Sequence, residues 1–378
     1  MREYQRIRAA VIRGGTSKGL FLLASDLPGD AAVRDRVILA IFGSPDQRQI
    51  NGIGGGDTLT SKVAIIARSA CPDADVDYTV GHIALDKPLV DYEANCGNIS
   101  QGVGPFAVDE GLVAVIEPVT MVRIFNTNTN KMIEAEVPVR DGKAVVEGDF
   151  VVPGVPGSGA KIVLNFVNSA GSKTGKLLPT GNVQDRIQLS GGREVRVSLV
   201  DAGNPFVFVQ AAELGLTGSE LPAAVNGDSR TLAVMEEIRV QAGVMMGLAA
   251  SAAVPKVAFV AAPQDYVTIT GKAVGAEECD LLARSKSFAG LHKAYAVTGG
   301  LCVGAAALIE GSVVHEVAGS RIRESGVARV GHPSGVTPYL VTVVKQASGE
   351  FELTKSAMAG TARRIMDGFV YVPSRVFA

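Results

Sequence analysis

One cysteine stands apart from the other three. Cys96 sits in "YEANCGNISQGVGP" (92 to 105), in a turn ahead of sequence with helical spacing, while Cys71, Cys279 and Cys302 read as members of apolar stretches. If Cys96 heads that helix, the N–H groups of Gly97, Asn98 and Ile99 point toward its sulfur and toward any anion beside it. A thiol so placed can have its pKa drawn down from about 8.5 into the range ~3.5–7.5, making thiolate available as a base or nucleophile near neutral pH. The alternative is a buried small hydrophobe, the usual fate of free cysteine. The spacing of the four fits neither a metal site nor a disulfide framework, so the other three are taken as structural.

A second candidate is "INGIGGGDTLTSKVAII" (50 to 66). It is not a phosphate-binding P-loop, because Ser61 stands before Lys62 where glycine is needed and Val63 follows where that motif has Ser or Thr. Nor does it give G-x-G-x-x-G, since Asp57 takes the last glycine position. What remains is a polar loop that delivers Thr60, Ser61 and Lys62 to the start of a strand. A lysine at a strand edge is usually a solvated charge. Entering an apolar run, however, it would be buried, with a lowered pKa suited to proton transfer or to holding an anion.

"RGGTSKG" (13 to 19) places Thr16, Ser17 and Lys18 beside glycines that permit close backbone approach, a set that suits a carboxylate and is otherwise an ordinary turn. His292 and His332 lie at junctions between turns and regular elements, and each has a plain structural alternative. His82 and His315 receive no role. No His-x-Glu-x-x-His, clustered Cys/His or Asp-rich loop supports a metal site.

Composition narrows the classes further. With 36 basic and 38 acidic residues scattered along 378, a net charge of -2 and no tryptophan, there is neither a basic stripe for nucleic acid nor an aromatic platform for bases. The longest uncharged run, Ala294 to Ile309, is sixteen residues and broken by glycines. It falls short of the roughly 20 residues that span a bilayer. "MREYQRIRAAVIRGG" does not read as a secretory signal. Unpaired thiols suit a reducing, cytoplasmic setting. Length and 47% hydrophobic content predict two packed domains.

The elements that must hold these residues are mostly short β-branched runs: 62 to 68, 75 to 85, 120 to 128, 143 to 152, 160 to 167 and 194 to 209, followed by "PKVAFVAAP". Helices are expected over 30 to 42, with Asp30 as N-cap, over 98 to 110 with Pro105 weakening it, over 230 to 249, at "EECDLLARSKSF" (277 to 288), and in the buried stretch "HKAYAVTGGLCVGAAALI". The turn-rich "KLLPTGNVQD" (176 to 185) is the expected domain boundary. Two internal echoes suggest similar domains facing across a cleft. "RGGTSKGLFLL" parallels "DAGNPFVFV" (201 to 209), and "NCGNISQGVGPFAV" parallels "GHPSGVTPYLVTV" (331 to 343), which would make Ser334 the counterpart of Cys96.

Taken together with "GSPD" (43 to 46), "DVDYTVGHIALDKPLVDYEANCGN" and "TARRIMDGFVYVP" (361 to 373), these stretches resemble the PrpF-like family of methylaconitate isomerases, 3-methylitaconate Δ-isomerases and 4-oxalomesaconate tautomerases. The resemblance covers nearly the whole chain. It implies an α/β (α+β) architecture of two domains with the diaminopimelate-epimerase fold, each a curved, mostly antiparallel sheet around a central helix, with the active-site cleft between them. The expected domains are 1–185, with the strand 366–378 returning to it, and 186–365. It also implies a cofactor-independent, metal-free shift of a C=C bond in a small unsaturated di- or tricarboxylate, and a homodimer or homotetramer. The family's catalytic pair falls on Lys62 and Cys96. Ser17 and His292 match further active-site positions, and Thr16, Lys18, Ser61, Gly97, Asn98, His332, Ser334 and Gly335 are the expected substrate contacts. A keto-enol tautomerase and a non-catalytic accessory protein of an aconitase-type enzyme are the alternatives.

Overall fold

The computed structural model describes residues 3–251, 254–287 and 290–378. The chain forms two compact units, Met1–Leu164 with Gly360–Ala378, and Asn165–Ala359. The turn-rich stretch 176 to 185 lies inside the second unit.

The first unit runs β1 (Tyr4–Gly14), β2 (Ser17–Leu23), α1 (Ala31–Phe42), β3 (Lys62–Arg68), β4 (Val76–Ile83), β5 (Val90–Asp91), α2 (Gly97–Ser100), α3 (Val103–Asp109), β6 (Val119–Asn126), β7 (Lys131–Arg140) and β8 (Lys143–Ala144). After β9 (Ile162–Phe166), the second unit runs β10 (Asp185–Gln188), β11 (Glu194–Asp201), β12 (Pro205–Gln210), α4 (Pro222–Gly227), α5 (Ser229–Met245), β13 (Lys256–Ala261), β14 (Tyr266–Val267), β15 (Ala273–Val274), β16 (Leu281–Ser287), β17 (Gly290–Leu291), α6 (Val297–Leu308), α7 (Arg321–Ser325), β18 (Val327–His332), β19 (Gly335–Lys345) and β20 (Phe351–Gly360). The last strand, β21 (Ala362–Pro373), lies antiparallel to β1 in the first unit.

The pairing of strands shows the two units to be the same design. In the first, β1 and β2 form a hairpin, β2 runs parallel to β3, β3 antiparallel to β4, β4 antiparallel to β5 and parallel to β6, and β6 antiparallel to β7. In the second, β11, β12, β13, β16, β17, β18 and β19 repeat that order and those directions. The helices fall in matching places: α1 with α5, and α2 plus α3 with α6. Each unit is thus a mostly antiparallel sheet with a helix at its centre.

Local sequence explains most of this. Asp30 caps α1 by accepting a hydrogen bond from Val33 N at 2.9 Å, and Val37, Ile38, Ile41 and Phe42 are buried against Leu20, Leu22, Val63 and Ile65. In the second unit Met235, Ile238 and Ala242 of α5 pack on Val197, Val207 and Phe259. Residues Val297 to Ala307 of α6 are all buried, and their small side chains let strands close around the helix.

Several expectations are corrected. Residues 277 to 288 are not a helix: described up to Ser287, they give a short turn and then β16, in which Leu281, Leu282, Ala283 and Arg284 are all fully buried. Burial on both faces between β13 and β18 overrides the helix-forming Glu, Leu and Ala. Only Lys143–Ala144 of the run 143 to 152 is strand. The helix expected over 98 to 110 breaks after Ser100 and restarts at Val103, which puts Pro105 in a first turn, where its missing N–H costs nothing. Cys71 and Cys279 also lie outside regular elements, Cys71 exposed in the bend after β3, so Cys96 is not alone in a turn.

Candidate active site

The residues expected to do chemistry in the first unit converge on three neighbouring pieces: the β1–β2 hairpin, the start of β3 and the start of α2. Lys62 is the first residue of β3 and is 5% exposed. Its ammonium donates to Ser17 Oγ at 3.1 Å and to the Thr58 carbonyl at 2.7 Å. Burial pushes its pKa down from the usual lysine value, and negative charge at Cys96 and Asp57 opposes that shift. An ammonium has three N–H donors, and two of these are engaged.

Cys96 is the N-cap of α2, extended (φ -119°, ψ 93°), with a side chain that makes no capping hydrogen bond. It is buried, and its carbonyl accepts from Ser100 N at 2.9 Å and Ser100 Oγ at 3.0 Å. The first-turn N–H groups of α2, which follow directly on Cys96, have no intrahelical acceptor. Beneath it Tyr78 is fully buried. Burial first, and then charge at Cys96, hold the Tyr78 phenol well above its usual pKa, so it remains protonated.

The glycines of the β1–β2 hairpin let it lie flat on α2. A Cβ at Gly14 would stand 2.3 Å from Asn98 O, and one at Gly15, where φ is +50°, would stand 2.2 Å from Asn98 Oδ1. The Asn98 amide oxygen accepts from Thr16 N at 3.2 Å and so fastens the hairpin carrying Ser17 to the helix carrying Cys96. The Thr16 hydroxyl is buried without a hydrogen-bond partner. Strand alternation turns Lys18 to the opposite face from Ser17. The Ser61 hydroxyl donates to Gln49 Oε1 at 2.7 Å.

The other expected residues belong to the second unit. His292 Nδ1 accepts from Ala294 N at 3.0 Å. His332 is buried, its Nδ1 accepting from Ser334 N at 3.2 Å and its Nε2 lying 2.8 Å from Thr337 Oγ1. With Nδ1 an acceptor, Nε2 carries the hydrogen in the neutral ring. Burial first, and then the positive charges of Arg284 and His292, push its pKa down to about 3. The Ser334 hydroxyl donates to Lys293 O at 2.7 Å, and Gly335 O accepts from Tyr266 Oη at 2.7 Å.

The topological match corrects one pairing. Ser334 lies in the β18–β19 hairpin, which corresponds to the β6–β7 hairpin and not to the entry of α2. The true counterpart of Cys96 is the N-cap of α6, Ala296, also extended (φ -66°, ψ 135°). The second unit therefore has no thiol, and no side-chain base, at that position. The echo of "RGGTSKG" in "DAGNPF" does hold, as the β1–β2 and β11–β12 hairpins.

Cys279 and Cys302 are buried thiols donating to carbonyls, Cys302 to Val200 O at 3.4 Å, and burial pushes both upward in pKa. Among the described residues no group of three or more His, Cys, Asp or Glu could hold a metal ion. Sequence reasoning missed Asp57 as a charge near Lys62, the Thr58 carbonyl that grips it, and Gln49. An aspartate following three glycines was a visible signal for the first, while nothing marked the other two.

The family model described as PrpF protein matches residues 4–373. The chain is 48% identical over 384 residues to the 3-methylitaconate isomerase of Eubacterium barkeri, covering 98% of each. It is 40% identical over 392 residues to the 2-methyl-aconitate isomerase of Cupriavidus necator, again covering 98% of each. A crystal structure of methylitaconate-delta-isomerase superposes with a TM-score of 0.79 at 46% identity, over 100% of this chain and 98% of that one. A hydroxyproline epimerase from Agrobacterium vitis, at 15% identity and TM-score 0.56 over 99% of this chain and 94% of its own, shares the fold alone.

Proposed function

The chain belongs to the PrpF family, and from that premise we propose that it is a cofactor-independent isomerase that moves a C=C bond in a small unsaturated di- or tricarboxylate such as 3-methylitaconate or 2-methylaconitate. The observation that carries the reading is the buried Lys62 ammonium, held by Ser17 Oγ and the Thr58 carbonyl with one N–H still uncommitted, on the strand beside the hairpin that Asn98 fastens to the helix headed by Cys96.

In the reaction, Cys96 as thiolate takes the proton from a carbon flanked by a carboxylate and the C=C bond. The electron pair left behind spreads over the allylic unit and into the carboxylate. Lys62 and the N–H groups of α2 stabilise that growing charge, where donors fixed in a water-poor site act most strongly. The proton then returns to the far allylic carbon, the C=C bond moves by one position, and both side chains regain their starting states. Acid–base catalysis of this kind contributes about 10²–10⁴-fold, so the buried ammonium has to supply much of the remainder.

Ala296 supports a shift over a racemisation. Exchange of a proton between opposite faces by a pair of matched thiols needs a second base, and the matching N-cap offers a methyl group. The working thiol must stay reduced, which fits a cytoplasmic protein, and the family resemblance fits a homodimer or homotetramer.

Incubation of the purified protein with itaconate, 3-methylitaconate, trans-aconitate, 2-methylaconitate and 4-oxalomesaconate, with products separated by chromatography, tests the reading. Migration of the double bond in a methyl-substituted acid is expected. Turnover confined to 4-oxalomesaconate would replace it with the tautomerase, and a folded, reduced protein inert toward all five would refute it.

A further inference from the structure

The loop that delivers Lys62 is organised around one side chain. Gln49 is 1% exposed and holds a left-handed backbone, φ +51°, which a residue with a side chain adopts only when its surroundings enforce it. Its Oε1 accepts from Gly56 N at 2.9 Å and from Ser61 Oγ at 2.7 Å, and its Nε2 donates to Ser44 Oγ at 3.0 Å. Because Gly56 N–H can meet only an acceptor, these partners fix which way the amide points. A single side chain therefore joins the start, middle and end of the segment 44 to 61.

The run Gly54-Gly55-Gly56 is explained by the same arrangement. A Cβ at Gly54 would lie 2.1 Å from Gln49 Oε1, and one at Gly55 would lie 2.2 Å from Thr60 Oγ1. These glycines let the backbone wrap closely around Gln49 and Thr60, where the sequence had offered only a failed phosphate-binding pattern. Within the wrapped segment Leu59 N donates to Asp57 Oδ1 at 2.8 Å and Thr60 N to Asp57 O at 3.0 Å. The carbonyl between them, Thr58 O, faces Lys62 Nζ at 2.7 Å. Lys18 N, next to Ser17, donates to Leu59 O at 2.9 Å and ties the same turn to β2.

We infer that Gln49 is a positioning residue for Lys62: by holding Gly56 and Ser61 it fixes the turn 57 to 61, and with it the Thr58 carbonyl that sets the place of the ammonium. Its catalytic consequence rests on the charge-stabilising role proposed for Lys62. Nothing in the position of Gln49 brings it to substrate, so its removal acts on rate through Lys62 and leaves binding largely intact.

The test uses Gln49→Met, which keeps the length of the side chain and removes its polar atoms, and Ser61→Ala, which removes one of the three hydrogen bonds. Two readouts are taken on folded protein: steady-state kinetics, and the titration of Lys62 in protein labelled with [13Cε]lysine, its resonance assigned with Lys62→Arg. In Gln49→Met, kcat is expected to fall about 10–100-fold with KM within about threefold, and the Lys62 titration to move upward as water reaches the ammonium. Ser61→Ala should move both readouts the same way by less, and it decides the matter if Gln49→Met does not fold. A folded variant with kcat and the Lys62 titration both unchanged overturns the inference. If the wild-type protein turns over none of the acids, the isomerase reading fails separately. The titration then still decides whether Gln49 positions Lys62.

Discussion

Ser17 Oγ accepts a hydrogen bond from Lys62 Nζ at 3.1 Å, and the two residues open neighbouring parallel strands, β2 and β3. The sheet itself therefore sets their separation. Asn98 secures the Ser17 hairpin to the helix that carries Cys96, so one contact chain joins the ammonium to the element bearing the thiol.

That contact has a definite sign. Ser17 accepts from the ammonium and so favours the charged form; in Ser17→Ala the pKa of Lys62 falls further below its already lowered value. The alkaline limb of the rate profile should move to lower pH, and kcat/KM should drop about 10–100-fold, as for loss of a hydrogen bond to a charged group. Profiles of kcat/KM against pH for both proteins check this, and an alkaline limb that stays in place contradicts it.

Lys62 should also limit stability. Its folded-state pKa lies below the unfolded value, so between those two values the unfolded chain binds more protons and stability rises with pH. Lys62→Met should remove that rise and, being well packed, should be about 1–4 kcal/mol more stable near pH 7 while inactive. Urea unfolding of the first unit at pH 7 and pH 10 measures both effects.

His332 predicts an acid transition in the second unit. Its folded pKa of about 3 lies below the unfolded 6.5, so the stability it contributes is complete above pH 6.5 and is lost as pH falls toward 3. The full effect amounts to up to about 5 kcal/mol. His332→Gln should unfold less steeply with acid across that window, as followed by denaturation midpoints at pH 7, 5 and 4. Equal slopes for the two proteins would remove His332 as the cause.

The remaining thiols provide the control for Cys96. Cys302 is fully buried and bonded to Val200 O, so Cys302→Ala should cost about 1–2 kcal/mol through lost packing and leave kcat within about twofold. Cys71 is exposed, and Cys71→Ser should change neither stability nor rate. Thermal unfolding and steady-state kinetics on both variants test these expectations.

Much of this was legible because local chemistry and tertiary demand agree. Asp30 ahead of an apolar helical face gave α1, the run 62 to 68 gave β3 with its ends correct, and "RGGTSKG" with "CGN" picked out pieces that do meet in the first unit. The failures have a common physical origin. "EECDLLARSKSF" contains good helix formers, but its centre lies between two strands, and burial there decides the conformation. "GHPSG" resembles "NCGN" in residue type, yet only strand order reveals that one is a hairpin and the other a helix entry, and that Ala296 occupies the matching place. Gln49 was invisible because its importance comes from three partners, each at least five residues away, that a polar loop gives no reason to expect.

Turnover of 3-methylitaconate and 2-methylaconitate in D₂O, followed by proton NMR with wild-type protein and Cys96→Ser, tests the central claim most directly. The predicted result is double-bond migration with deuterium entering at the far allylic carbon, slowed at least about 10²-fold in a folded Cys96→Ser protein. Migration at the wild-type rate without the thiol would contradict the account.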